Sequence, residues 1–227
     1  MHAVVLAAGA GSRLRDVAPV KPLALFRGRA LILHVLDALM AGGATSATVV
    51  VGYRADAVAA AAAGHALRPA TVVNAVWETT PNGVSLLAAR SAIDGPTLLC
   101  MADHLLSPGL VARTATAARL PLTLAVDRRL GHPWVDEADV TRVRTERGAI
   151  AAIGKALVIY DAYDTGLFVV GPSLVRALAP MAAPSLSEGV AVLAKQGMAG
   201  VVDGGDAPWL DVDDARALAL AEREWPL

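Results

Sequence analysis

A short apolar run, residues 3–8, leads directly into Gly9-Ala10-Gly11-Ser12-Arg13-Leu14, and this junction limits the chain more than any other segment. The run reads as a buried strand. A glycine-rich turn after a strand leaves backbone N–H groups free to face phosphate oxygens. Arg13 and, a loop's length later, Lys21 of Lys21-Pro22-Leu23 add positive charge beside it. A plain tight turn and a dinucleotide-binding loop are the competing readings. The dinucleotide pattern fails at its last glycine, where Leu14 stands, and Asp37, inside a predicted helix, is not at the spacing of a ribose contact. The pattern of a P-loop is absent as well.

Downstream, strand-like and helix-like stretches alternate. Strands are expected over 3–8, 47–51, 71–76, 97–102 and 122–126. Helices are expected over 30–40, 56–63 and 84–93, and another starts at Ser107-Pro108, an N-cap followed by proline in the first turn. The alternation predicts an α/β fold, a mixed, mostly parallel sheet with helices on both faces. The second half differs. A hairpin is expected over 140–145 and 149–153 around Arg147-Gly148, then a strand over 166–170, helices over 173–178 and 187–195, and short strands at 201–202 and 209–210. Asp213 is expected to cap a last helix ending at Glu224. No linker or low-complexity tract separates the halves, so residues 1–227 are read as one domain with halves of about 1–130 and 131–227.

Charge and composition exclude several classes. A formal net charge of −1 argues against a nucleic-acid surface. No apolar run approaches the length of a membrane span, and no signal-type segment opens the chain, so no membrane insertion is expected. Cys100 is the single cysteine, which excludes an intrachain disulfide and a cysteine-cluster metal site. A cytoplasmic protein fits. Arginine outnumbers lysine 17 to 3, so Lys21, Lys155 and Lys195 are unusual choices.

Further candidate residues follow from chemistry and position. Asn82, in Pro81-Asn82-Gly83-Val84-Ser85, offers a donor and an acceptor suited to a base edge, although a Pro-Asn-Gly turn explains the segment equally. Asp103 follows a strand at the sheet edge where ligands bind in open α/β folds, and is a natural magnesium ligand. His104 beside it packs or caps. Trp209-Leu210-Asp211-Val212-Asp213-Asp214 supplies more carboxylates at a strand end. Lys155 ends the predicted hairpin, where a surface lysine is the plain alternative. Asp164 can accept from polyol hydroxyls, and Gly166 lets a ligand approach the backbone. Glu188 is a further acceptor or simply a first-turn helix acid.

Taken in order, these motifs resemble the sugar-phosphate nucleotidyltransferases over nearly the whole chain, with most similarity to the inositol-1-phosphate cytidylyltransferases. The finer match rests on Asn82-Gly83-Val84-Ser85, Met101-Ala102-Asp103-His104, Asp139-Val140-Thr141-Arg142-Val143, Ile153-Gly154-Lys155 and Asp164-Thr165-Gly166-Leu167-Phe168. The resemblance implies a Rossmann-like nucleotidyltransferase fold, with a nucleotide-binding first half and an acceptor-binding second half. It implies CTP lying over Leu6, Ala7, Ala8, Gly9, Gly11 and Ser12 and over Asn82, Gly83 and Ser85. Arg13 and Lys21 would hold the triphosphate, Asp103 and Asp211 would hold Mg2+, and Lys155 would face the acceptor phosphate. It also implies a phosphorylated polyol as co-substrate and hand-over of the product to a separate membrane synthase. The same reaction with a sugar phosphate, phosphocholine or a molybdenum cofactor precursor stays open, as does a non-catalytic nucleotide sensor. Lys21, Asp103 and Asp211 speak against the sensor.

Overall fold

The computed structural model describes residues 1–14 and 17–226; the side chain of Ser12, expected at the phosphates, lies outside the described residues. The first half runs β1 (His2–Ala7), β2 (Leu25–Phe26), β3 (Arg29–Ala30), α1 (Leu31–Ala41), β4 (Ser46–Val51), α2 (Ala55–Ala63), β5 (Ala70–Val73), α3 (Asn82–Ala88), β6 (Thr97–Met101), β7 (His104–Leu106), α4 (Pro108–Ala117) and β8 (Leu122–Asp127). There follow β9 (Arg142–Glu146), β10 (Ala149–Gly154), β11 (Ala162–Val170), α5 (Pro172–Leu178), α6 (Leu186–Lys195), β12 (Ala199–Asp203), β13 (Trp209–Asp211) and α7 (Ala215–Glu224).

Among the described residues, nine strands form one sheet in the order β5-β4-β1-β6-β11-β8-β12-β10-β9. The two halves of the chain share it. Seven strands point one way, and only β11 and β10 oppose them. The apolar run of β1 is continuous because both faces are covered. Ala3, Val5 and Ala7 meet Ile32, Leu36 and Val58 of α1 and α2. Val4 and Leu6 meet Leu86 of α3 and Leu174 and Val190 of α5 and α6. Alternate side chains of a strand point to opposite faces, so a strand between two helical layers needs apolar residues at every position. A third cluster joins α7 to Leu14, Phe26, Leu105 and Leu210, away from the main sheet.

Several boundaries move for identifiable reasons. The strand expected over 71–76 stops at Val73, because the Asn74 side chain accepts from the Val76 N–H and turns the chain. The strand expected over 166–170 starts at Ala162, and carries a bulge. Asp164 pairs with Val126 and Phe168 with Leu124, so β11 gains two residues on β8 there. Gly166 sits in the bulge at φ 75°, and Thr165 donates to the Ala125 carbonyl. The last helix is capped by Asp214, whose carboxylate accepts from Ala217 N–H at 2.7 Å. The expectation that Asp213 serves as that cap is therefore corrected: one residue upstream, its side chain points elsewhere, as follows.

Candidate active site at the sheet edge

The strands β1, β4 and β6 run parallel and end at one edge. β11 runs antiparallel to β6, so its first residues lie at the edge where β6 ends. Asp103 lies two residues beyond the end of β6, and Asp164 and Gly166 lie near the start of β11. A small antiparallel ladder completes the assembly. β13 pairs with β7 so that Asp211 faces His104, and Val212 N–H donates to the Asp103 carbonyl at 3.0 Å. Residues about a hundred positions apart thus become neighbours. Trp209, two residues before Asp211, donates from its indole to the buried Asp127 at 2.7 Å. Arg129 grips the same carboxylate with three further bonds, two from its guanidinium and one from its backbone N–H. The strand end that carries Asp211 is thereby anchored.

The charged side chains form one alternating run. Lys155 pairs with Asp139, and Asp139 with Arg13 at 2.5 Å. Arg13 also meets Asp213, which meets Lys21. Lys21 lies 2.5 Å from Asp103 and 3.9 Å from Asp211. His104 closes the run, 2.9 Å from Asp103 and 3.8 Å from Asp211. Lys21 is only 6% exposed, which explains lysine in an arginine-rich chain, since a compact ammonium fits among three carboxylates where a planar fork would not. Gly11, at φ 58°, has no room for a Cβ because the Lys21 stem lies against it. The second glycine of the turn therefore serves the lysine, whereas Gly9 faces open space.

Burial and charge act together on these groups. Burial opposes the charge of Lys21, but Asp103, Asp211 and Asp213 outweigh it and raise the pKa above the ordinary lysine value. Burial likewise opposes ionisation of Asp103, yet Lys21 and His104 hold it well below the usual carboxylate range. For His104, burial is outweighed by Asp211 and Asp103, which push its pKa up to about 9. Asp211 is raised, chiefly by burial. Asp164 rises to about 6 through burial, against the opposing effect of the Gly166 N–H.

A cavity of about 330 Å³ opens beside this run. Arg13, Asn82, Lys155, Asp164, Gly166 and Asp211 line it, as do residues to which the sequence assigned no role, among them Trp134, Asp136, Asp139 and Arg216. Other expectations change. Gly166, expected to admit a ligand, gives the space of its missing Cβ to the His104 ring. Ser85, expected at the base, is buried and accepts from the Asn74 side chain at 3.0 Å. Glu188, expected at the acceptor, closes a capping box with Ser185 at the start of α6. Asn82 stays on the cavity wall, with its side-chain oxygen accepting from Leu186 N–H at 2.9 Å. Gly83 leaves space for the Pro184 carbonyl. Leu6, Ala7 and Ala8 are buried at the end of β1 and its exit. The Leu6 carbonyl accepts from Ala102 and the Ala8 carbonyl from Tyr53. Sequence alone assigns neither His104 nor Asp213 to the charged run that they join. The spacing of Asp211 and Asp213, alternate residues at a strand end, was the available signal. Asp139 had no local signal beyond its place in a motif.

A doubly covered sheet with cations and carboxylates at its edge suits phosphate chemistry, and the family match places the chain among the nucleotidyltransferases. The chain belongs to the family of the MobA-like NTP transferase domain, whose model matches residues 3–156. It is 36% identical over 225 residues to the bifunctional IPC transferase and DIPP synthase of Rubrobacter xylanophilus, covering 97% of this chain and 51% of that protein. The protein of that description from Aquifex aeolicus is 28% identical, again over 97% of this chain and 51% of its own length. The chain thus spans about half the length of these curated relatives. Among solved structures, the inositol-1-phosphate CTP transferase from T. maritima matches with a TM-score of 0.87 and 25% identity, over 95% of this chain and 90% of that one. The CTP:phosphocholine cytidylyltransferase from Streptococcus pneumoniae shares the fold, with a TM-score of 0.75 at 17% identity over 97% of both chains. No helix among the described residues is long and apolar enough to cross a membrane.

Proposed function

We propose that this protein transfers CMP from CTP to inositol 1-phosphate, releasing CDP-inositol and pyrophosphate, with Mg2+ as cofactor. The observation that carries the reading is the alternating run from Lys155 to His104 at the sheet edge. It supplies cations for two phosphorylated substrates and carboxylates for a divalent ion. The relatives named for IPC transferase and for inositol-1-phosphate CTP transfer support the choice of substrates.

In this reaction an acceptor phosphate oxygen forms a bond to the α-phosphorus of CTP while the bond to the β-phosphate breaks. The electron pair leaves with pyrophosphate. The nucleophile is anionic near neutral pH, so no general base is required, and the work is alignment and charge stabilisation. Lys21, buried and held in its charged form, supplies a fixed charge for the triphosphate together with Arg13. Lys155 and Asp164 take the acceptor, as phosphate anchor and hydroxyl acceptor on the cavity wall. Asn82 is the side chain on that wall suited to reading the cytosine edge.

The residues present fit magnesium. Asp103, His104 and Asp211 bring potential ligand atoms within 4.8 Å of one another, and Asp211 Oδ1 is buried without a hydrogen-bond partner. Carboxylate oxygens suit a hard cation. Because magnesium takes oxygen ligands, Asp103 and Asp211 would hold it, with His104 hydrogen-bonded to Asp103 beside them. When bound there, Mg2+ neutralises charge on the nucleotide phosphates. Passage of CDP-inositol to a synthase activity outside these residues completes the proposal.

The test is pyrophosphate release measured with four nucleotides against a panel of phosphorylated acceptors. The highest kcat/KM is expected for CTP with inositol 1-phosphate. A better acceptor would reassign the substrate, and no release with any pair would remove the reaction.

A further inference from the structure

Asp139 belongs to neither of the elements whose cations it meets. It lies between β8 and β9, on a segment folded by its own hydrogen bonds: Asp139 N–H donates to the Asp136 carbonyl at 3.0 Å, and Ala138 N–H to the Asp136 side chain. Its carboxylate takes Arg13 on Oδ2 and Lys155 on Oδ1. Arg13 comes from the glycine-rich turn and Lys155 from beyond the end of β10. One side chain therefore ties together the two cations that the proposed reaction assigns to different substrates. All three groups are reachable by solvent, with side-chain exposures of 30% for Asp139, 49% for Arg13 and 59% for Lys155. Ion pairs this exposed are weak and are readily exchanged for an incoming anion. Lys155 and Arg13 hold the Asp139 pKa at about 2, so it remains an anion at any working pH.

Both cations face a cavity that must accept a triphosphate and then release pyrophosphate. An unopposed Arg13 would retain pyrophosphate and an unopposed Lys155 the coupled product, because electrostatic attraction does not distinguish the phosphates of a substrate from those of a product. Resting on the proposed reaction, we propose that Asp139 is an internal competitor for the anion sites, which neutralises Arg13 and Lys155 in the empty enzyme, yields them to the substrates, and reclaims them as the two products leave. Asp213 holds Arg13 and Lys21 in a similar way, but it stands beside the carboxylates assigned to magnesium. Asp139 is the member of the run that acts on anion affinity alone.

The experiment is calorimetry of sodium pyrophosphate binding to the full chain in magnesium-containing buffer, without nucleotide. One partly exposed pair is enough to weaken anion binding by up to about fivefold, so Asp139→Asn, which frees Arg13, should tighten pyrophosphate by about that factor. Asp139→Ala, which also removes the remaining acceptor, should shift it in the same direction. Asp56→Asn removes an equal charge from the exposed first turn of α2, away from the cavity, and should leave the affinity unchanged. In turnover, Asp139→Asn should strengthen inhibition by pyrophosphate by the same factor. Unchanged or weaker pyrophosphate binding in Asp139→Asn overturns the proposal, and so does equal tightening in Asp56→Asn. If the wild type transfers no nucleotide to any acceptor, the proposed reaction fails, while the calorimetric comparison still decides whether Asp139 competes with anions.

Discussion

Replacing Gly166 by alanine tests how the bulge in β11 supports the site. The residue sits at φ 75°, in the left-handed region, where a side chain costs about 1–2 kcal/mol. An added Cβ would also lie 2.5 Å from His104 Cδ2 and 2.6 Å from Nε2. The ring cannot easily withdraw, since it is nearly buried and bonded to Asp103 at 2.9 Å. Overpacking of that kind costs about 1–3 kcal/mol. The two effects sum to roughly 2–5 kcal/mol. For a domain of this size that lowers Tm by roughly 4–20 °C. Urea and thermal unfolding of the metal-free protein measure it. A double-mutant cycle with His104→Ala separates the parts, because removing the ring relieves the clash and leaves the backbone strain. The coupling between the two sites should be about 1–3 kcal/mol. A Gly166→Ala protein within about 0.5 kcal/mol of wild type, or a coupling near zero, would refute the account of why glycine stands there.

Asp213 and Asp214 should separate by readout. Asp214→Ala should cost about 1 kcal/mol of stability through loss of the α7 cap, whereas Asp213→Asn should reduce turnover with little change in unfolding; the reverse ranking would restore Asp213 as the cap. Lys21→Ala should lower kcat by on the order of 10²-fold or more, and Lys21→Arg should rescue it poorly; near-normal rates in a folded Lys21→Ala protein would remove it from the mechanism. For Asp164, burial raises the folded pKa from 3.8 to about 6, so the native state binds more protons than the unfolded chain between those values. Stability from this group is present below pH 3.8 and falls as pH rises through 6. Asp164→Asn should therefore be more stable than wild type above pH 6 and lose that advantage in acid, as read by unfolding curves at pH 4 and 7.

Much of the architecture was legible locally. The uninterrupted apolar run of β1, the Ser107-Pro108 helix start and the Arg147-Gly148 turn are short-range signals, and each lies where its pattern indicated. Backbone preference and hydrophobic period act over a few residues, so sequence alone determines such elements, together with the α/β class and the rarity that singled out Lys21 and Lys155. What only the tertiary structure decided is which partner each charge has. The pairing of β7 with β13 sets Asp211 against His104 and beside Asp103, and Arg13 meets Asp139 and Asp213 across more than a hundred residues of chain. Asp213 and Asp214 are chemically alike and adjacent, yet one caps a helix and the other neutralises two cations. Gly166 likewise yields to a histidine ring from another strand. Charge pairing depends on distance in space, and a linear sequence carries no record of the contacts that strand order, the reversed direction of β11 and its bulge create.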